Sequence, residues 1–553
     1  KTRLFYFLPY PFLLIESKFN YICEDILILD KMKKSFFAIG LALILCSWAG
    51  YSQNECKYDD IIKSIDEYVL QVKDGWKIPG MAVSVVKDGQ MVFAKGYGTK
   101  EMGKDVAVES SSIFQIGSVS KSFTAAVMAS IVDEGLVSWD DTVKNILPDF
   151  RWGDEYVENN MQVKDLMTHK TGIGGQVGTY IPNVGYDRDD VYQMMGLIKP
   201  KYQFRHTYAY NNITFIIAEK VIEKVTGKSW EENVRTRIFE PLGMTSSSVN
   251  GEGSDIENGF VDAGDRANVP HEFYYVKDSM HVAPLYGEER ALWWETVIGP
   301  AGSVNSTVED MAKYAQFHLN LGKVGENQVV SEKQMKYLHK GQTIVSQSDD
   351  YIRLYGHCWF VEQNDRYRLL FHTGTTWGFT AICAFVPELN LGLVVLCNSE
   401  VPSDPRYAIM RKTVDLFLGD GHEQDYNAEY LADWWESKRK SQAEKEKNQK
   451  PVEVIPAPKA KALVGHYHKG PLFGCAEVSL ENDKLYITIG KKGWKHELTH
   501  VNGLEYSFRS DGYAFPVTFT MDEKGKQAVK LEVDFHNGDG NNFGPWEKEH
   551  DHH

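Results

Sequence analysis

Three short constellations in this chain carry side chains suited to acyl chemistry. Ser118-Val119-Ser120-Lys121 sets a hydroxyl and an amine three residues apart. On a helix that spacing puts both on one face, within reach of each other. A lysine buried beside a serine can lose its charge and accept the serine proton. Two other Ser-x-x-Lys copies lack such a setting: Ser84 and Lys87 fall on a predicted strand, and Ser437 and Lys440 fall in a run of surface charge. Tyr210-Asn211-Asn212 offers a phenol for proton transfer and an amide for holding a carbonyl. His372-Thr373-Gly374 adds a titratable ring and a glycine that lets another backbone approach. Each also has a plainer reading taken alone: Ser118 and Asn212 as helix caps, and His372 as a packed histidine at a strand end.

The surrounding pattern places these groups on definite elements. Phe123, Val127, Met128 and Ile131 continue from Ser118 at helical spacing, and Gly135 stops the run, which predicts a buried helix. Ser118 then stands at a helix start, where free N–H groups and the dipole favour negative charge. Tyr210 precedes a second helical run, Phe215, Ile216, Ala218, Val221 and Ile222, closed by Gly227. His372 follows apolar Leu369–Phe371 and precedes a predicted strand, Phe379–Val386, with the glycine expected on an edge strand. Lys170-Thr171-Gly172 is a similar triplet, but it reads as a helix-exit loop. An amino-terminal helix over about Tyr58–Val72 uses Ile61, Ile62, Ile65, Val69 and Leu70. A hairpin follows, Met81–Val86 and Met91–Tyr97 around Lys87-Asp88-Gly89. Late strands at 379–386 and 391–397 join through Pro387–Asn390. Strands at both ends with helices between suit one sheet completed by distant segments, not repeated βαβ units.

Taken as an ordered set, these motifs resemble the serine β-lactamase and penicillin-binding protein superfamily, in its class C-like branch. Further stretches resemble the same branch: Asp165-Leu166-Met167-Thr168-His169, Ile238–Met244, and Ala301-Gly302-Ser303 leading to Ser306–Met311. The resemblance covers roughly residues 56–420, and it sets Lys170 aside because that triplet comes before Tyr210. It implies an α/β (α+β) fold, with an antiparallel sheet flanked by helices and a mostly helical subdomain. Residues from 462 onward resemble the small all-β, lipocalin-like barrel often appended to such hydrolases.

The resemblance also implies roles. Ser118 would form an acyl-enzyme, and Lys121 and Tyr210 would share base and acid work. Asn212, His372, Thr373 and Gly374 would meet substrate, and the oxyanion would lie between the backbone N–H groups of Ser118 and Thr375. No metal or organic cofactor is implied, and the chain carries no CxxC pair. His372 stands where β-lactamases and D-Ala-D-Ala enzymes carry lysine. A histidine near pKa ~6.5 is mostly neutral at pH 7. The reading is therefore a serine hydrolase of small esters, amides or D-amino-acid-containing peptides, with weak or no β-lactamase activity. Three alternatives stay open: an acyltransferase using the same intermediate, a true β-lactamase or D,D-peptidase, and a non-enzymatic binding or sensor protein.

Composition bounds the rest. The 553 residues carry a net charge of −16 with no large basic tract, which argues against nucleic acid as a partner and leaves a small molecule or peptide. Met32-Lys33-Lys34, an apolar run from Phe36 to Cys46, and small residues before Gln53 form a signal-peptide pattern over 32–52. Residues 1–31 read as an upstream extension. Leu45 disfavours a lipoprotein anchor on Cys46, so the expectation is an exported, periplasmic protein of a Gram-negative bacterium, with no transmembrane span after cleavage and its oligomeric state open. The expected domains are a catalytic unit over 53–430, a charged and Pro-rich linker over 431–461, a small β domain over 462–549, and a tail over 550–553.

Overall fold

The expected amino-terminal hairpin forms as β1 (Gly80–Lys87) and β2 (Gln90–Gly98). Its turn holds Asp88 at φ 52° and Gly89 at φ 80°, the left-handed pair that matches the twist of a two-residue hairpin. The computed structural model describes residues 57–250, 261–286, 289–422, 424–448, 453–536 and 543–549. The expected extension, the signal segment with Cys46, and the 550–553 tail lie outside the described residues. The chain divides after Ser64, and the unit Ile65–His553 holds the sheets and helices that position the site.

Six later strands complete the sheet: β3 (Thr343–Gln347), β4 (Ile352–Tyr355), β5 (Phe360–Gln363), β6 (Arg368–Thr376), β7 (Phe379–Val386) and β8 (Leu391–Cys397). The order is β3-β4-β5-β6-β7-β8-β1-β2, antiparallel throughout. Distant segments thus meet at the Met81↔Cys397 register, as the strand placement implied. β7 and β8 are buried at every position, which explains their unbroken apolar sequence: both faces are covered. Helices Val308–Leu319 and Asp404–Leu418 pack on these strands. The helix Asp59–Gly75 also forms, with Ile65, Tyr68, Val69 and Val72 inward. Leu70, expected on that inner face, is exposed instead.

Between the two groups of strands lies the helical subdomain. Its centre is α1 (Ser120–Asp133), buried from Ser120 through Ile131. The expected buried helix is thus buried all round, with Ala125, Ala126 and Ala129 letting neighbours approach. Gly135 ends it at φ 71°. α2 (Thr214–Thr226) packs beside it and ends at Gly227, φ 69°.

Residues expected as linker begin as helix. Tyr426–Asn448 is one 23-residue helix, and its Trp434 packs edge-on against Trp76 at 5.8 Å. The carboxy-terminal domain is a nine-stranded antiparallel sheet curled into a nearly closed barrel, filled by Tyr467, Ile487, Phe515 and Trp546. It docks on the helical subdomain: Asn183 Nδ2 donates to Asp511 Oδ2 (2.8 Å), Ser510 Oγ donates to Asn183 O (2.7 Å), and Tyr186 OH donates to Phe473 O (2.9 Å). Among the described residues, no helix is long and apolar enough to cross a membrane.

Candidate active site

Ser118 lies on a single 3-10 turn, Gly117–Val119, immediately before α1. Neither the turn nor α1 has a side-chain cap at its start, so the capping reading of Ser118 fails. Its hydroxyl instead meets Lys121 Nζ at 3.0 Å and the Tyr210 hydroxyl. Ser118 stays partly exposed, while Lys121 is wholly buried. The other two Ser-x-x-Lys copies form no such pair. Ser84 Oγ donates to Val308 O while Lys87 pairs with Asp88, and Ser437 is exposed while Lys440 pairs with Glu436.

Three acceptors surround the Lys121 amine: Asn212 Oδ1 at 2.7 Å, Ala301 O at 3.0 Å and Ser118 Oγ. Burial pushes its pKa down to about 7, because no carboxylate compensates the desolvated charge. A neutral amine has two N–H groups. Asn212 and Ala301 take both, which leaves the lone pair for the Ser118 proton. Tyr210 differs: burial raises its pKa well above 10, so it stands as a neutral phenol. The Lys121 nitrogen sits 4.8 Å from the Tyr210 ring centre.

Two glycines bring the strand to the turn. A Cβ on Gly117, which has φ 50°, would lie 2.6 Å from Thr375 N, and one on Gly374 would lie 1.8 Å from Ile116 O and 3.0 Å from Ser118 N. Only glycine permits this approach, which gathers the Ser118 and Thr375 backbone nitrogens around one space. β6 is not an edge strand as a whole, contrary to expectation. Its ladder with β5 ends at Phe360↔Phe371, so residues 372–376 pair only with β7 and leave a local edge beside Ser118. Thr373 and Thr375 face outward there, whereas His372 and Gly374 are buried.

His372 is therefore not where a substrate-contacting group was expected. Its ring is fully buried: Nδ1–H donates to Thr373 O (2.7 Å), and Nε2 accepts from Tyr355 OH (3.0 Å). The carbonyl can only accept, so this tautomer is fixed. Burial, reinforced by nearby Lys121, pushes its pKa down to about 3. Asn212 also turns inward. Besides accepting from Lys121, it donates from Nδ2 to Gln176 Oε1 (3.2 Å) and Thr179 Oγ1 (3.3 Å).

Gln176, Thr179, Tyr355 and His169 were not assigned to the site from sequence. His169 packs its ring 4.2 Å from Tyr210 and accepts from Asn211 N, with burial holding it neutral. No periodicity marks the loop that carries Gln176 and Thr179. Only its glycines, Gly174, Gly175 and Gly178, distinguish it.

This arrangement agrees with comparisons to known proteins. The Beta-lactamase family pattern matches residues 68–414. The chain is 28% identical over 437 residues to "Unguisins hydrolase ungD'" of Aspergillus campestris, covering 75% of this chain and 77% of that one. It is 23% identical to "Protein flp" of Staphylococcus aureus strain N315, covering 62% of this chain and 64% of that protein's length. An octameric penicillin-binding protein homologue from Pyrococcus abyssi shares the fold, with a TM-score of 0.55, 22% identity, and coverage of 85% of this chain and 98% of that one. Its seryl-lysyl-tyrosyl cluster thus lies inside a matched span that takes in most of the chain, and the protein belongs to the beta-lactamase family, within the superfamily of serine β-lactamases and penicillin-binding proteins.

Proposed function

We propose that this protein is an exported serine hydrolase that works through an acyl-enzyme on Ser118. Its substrates are small esters, amides or short peptides, including those with D-amino acids. The observation that carries this reading is the buried Lys121 amine, held 3.0 Å from Ser118 with its other partners already placed. Lys121 Nζ takes the hydroxyl proton as Ser118 Oγ bonds to the substrate carbonyl carbon. The carbonyl electron pair moves onto oxygen, which the N–H groups of Ser118 and Thr375 receive. The bond to the leaving group then breaks, and Tyr210 supplies that group's proton and is reprotonated from Lys121. Water, deprotonated by the same pair, attacks the acyl carbon and restores Ser118.

Water is the acyl acceptor in this reading, in keeping with a relative named a hydrolase. His372 is buried and neutral, so it provides no cation for a substrate carboxylate, which supports weak or no β-lactamase or D,D-peptidase activity. The segment from Met32 to Ser52 supports export to the periplasm.

Labelling with a fluorophosphonate probe and mass spectrometry of the modified peptide tests the assignment. The adduct is expected on Ser118, and Ser118→Ala should abolish both labelling and turnover of p-nitrophenyl acetate. Wild-type turnover by that variant, or an adduct on Ser84 or Ser437, rules the reading out.

A further inference from the structure

The cleft at Ser118 has two walls on the catalytic domain. One runs from Lys121 through Asn212 to Thr179 Oγ1, and the next residue is Tyr180. The other is the end of β6 with its two-residue turn, Trp377-Gly378, into β7. Glu400 braces that turn by accepting from Gly378 N at 2.9 Å. Gly378 is three residues beyond Thr375, so the brace lies within about 10 Å of the oxyanion position along the chain.

A residue of the barrel meets the first wall at Tyr180. Tyr513 follows a tight turn with Asp511 at φ 48° and Gly512 at φ 78°. The turn is anchored by Ser510 Oγ and Asp511 Oδ2 on Asn183, both buried. From there the Tyr513 ring reaches Tyr180, with centroids 4.6 Å apart, and His536 packs edge-on with Tyr180 at 5.7 Å. Burial, with Tyr180 and then the Glu400 charge behind it, holds the Tyr513 phenol well above its ordinary pKa. Despite these contacts Tyr513 remains 45% exposed, which leaves ring surface open to solvent. An aromatic ring held by two hydrogen-bonded anchors is a stiff boundary with little side-chain entropy to lose on contact.

We propose that the barrel supplies Tyr513 as the end wall of the catalytic cleft, and that this wall limits the length of the acyl group accepted. The appended domain is then a specificity element that selects substrates with short acyl groups. The inference rests on the acyl-enzyme reading of Ser118.

The test uses the full chain and p-nitrophenyl acetate, butyrate and octanoate. Tyr513→Ala should raise kcat/KM for octanoate relative to acetate by about tenfold or more, the scale on which a pocket discriminates chain length. Tyr513→Phe keeps the ring and should leave that ratio within about twofold of wild type. Fluorophosphonate labelling of Ser118 should be equally fast in all three proteins. An unchanged ratio in Tyr513→Ala, with Ser118 still labelled, overturns the end wall alone. Failure of wild-type Ser118 to label overturns the acyl-enzyme reading and the end wall with it.

Discussion

At the scale of single residues, the charge of Lys121 decides what the site can do. Its pKa of about 7 lies below the ordinary lysine value, so the free amine appears as pH rises through neutrality. The expected kcat/KM profile climbs through about pH 7, and a flat profile from pH 5.5 to 8.5 would remove Lys121 as base. Lys121→Ala and Tyr210→Phe should each cost on the order of 10²–10⁴ in rate. The double variant should lose much less than the product of the two, because both serve one proton path. His372 makes a contrasting prediction. With its pKa near 3, it gains no charge between pH 8 and 5.5. Discrimination between a substrate with a free carboxylate and its amide should therefore be weak and constant over that range, measured as a ratio of kcat/KM. Rising preference for the free acid below pH 6.5 would show that the ring titrates.

The elements show how backbone geometry delivers these groups. Ser118 was expected at an α-helix start and instead occupies a 3-10 turn, because Gly117 takes φ 50° and packs against Thr375 before the helix can begin. The strand opposite has an open edge only where β5 is too short to cover it. Gly117→Ala and Gly374→Ala both set a methyl group into backbone atoms and force turn and strand apart. Each should lower kcat by about 10²–10³, the loss associated with a damaged oxyanion site, while circular dichroism stays at the wild-type spectrum. Near-normal kcat in both would mean that the close approach is not used.

For the whole molecule, burial of neutral histidines has a consequence for acid stability. His169, His318, His339, His357 and His372 are all buried with lowered pKa values. The unfolded chain binds protons at these rings below about pH 6.5 and the folded chain does not, so each costs up to about 1.4 kcal/mol per pH unit as pH falls. Glu219 and Glu295 are raised and retain protons in the fold, and Asp190, Glu223, Glu400 and Asp404 are raised as well; these carboxyls oppose the trend, while Lys121, pushed down to about 7, adds to it. The urea midpoint should fall from pH 7 to pH 5, and an unchanged or higher midpoint at pH 5 contradicts this balance.

Ser118 and Lys121 were legible in the sequence as a pair because helical spacing brings them together, and Tyr210 and Asn212 joined them through the family resemblance of the ordered motifs. Local backbone rules likewise placed the Asp88-Gly89 turn and the glycine stops at 135 and 227. The sequence placed His372 before a strand but not on its inner face, and it assigned Asn212 to substrate without seeing Gln176 and Thr179. Nor did it join the barrel to the cleft through Asn183 and Asp511, which are distant along the chain. Those matters belong to tertiary structure for one reason: solvation and hydrogen-bond partners depend on what packs nearby in space. The same lysine is a surface cation in Lys440 and a buried, near-neutral base in Lys121.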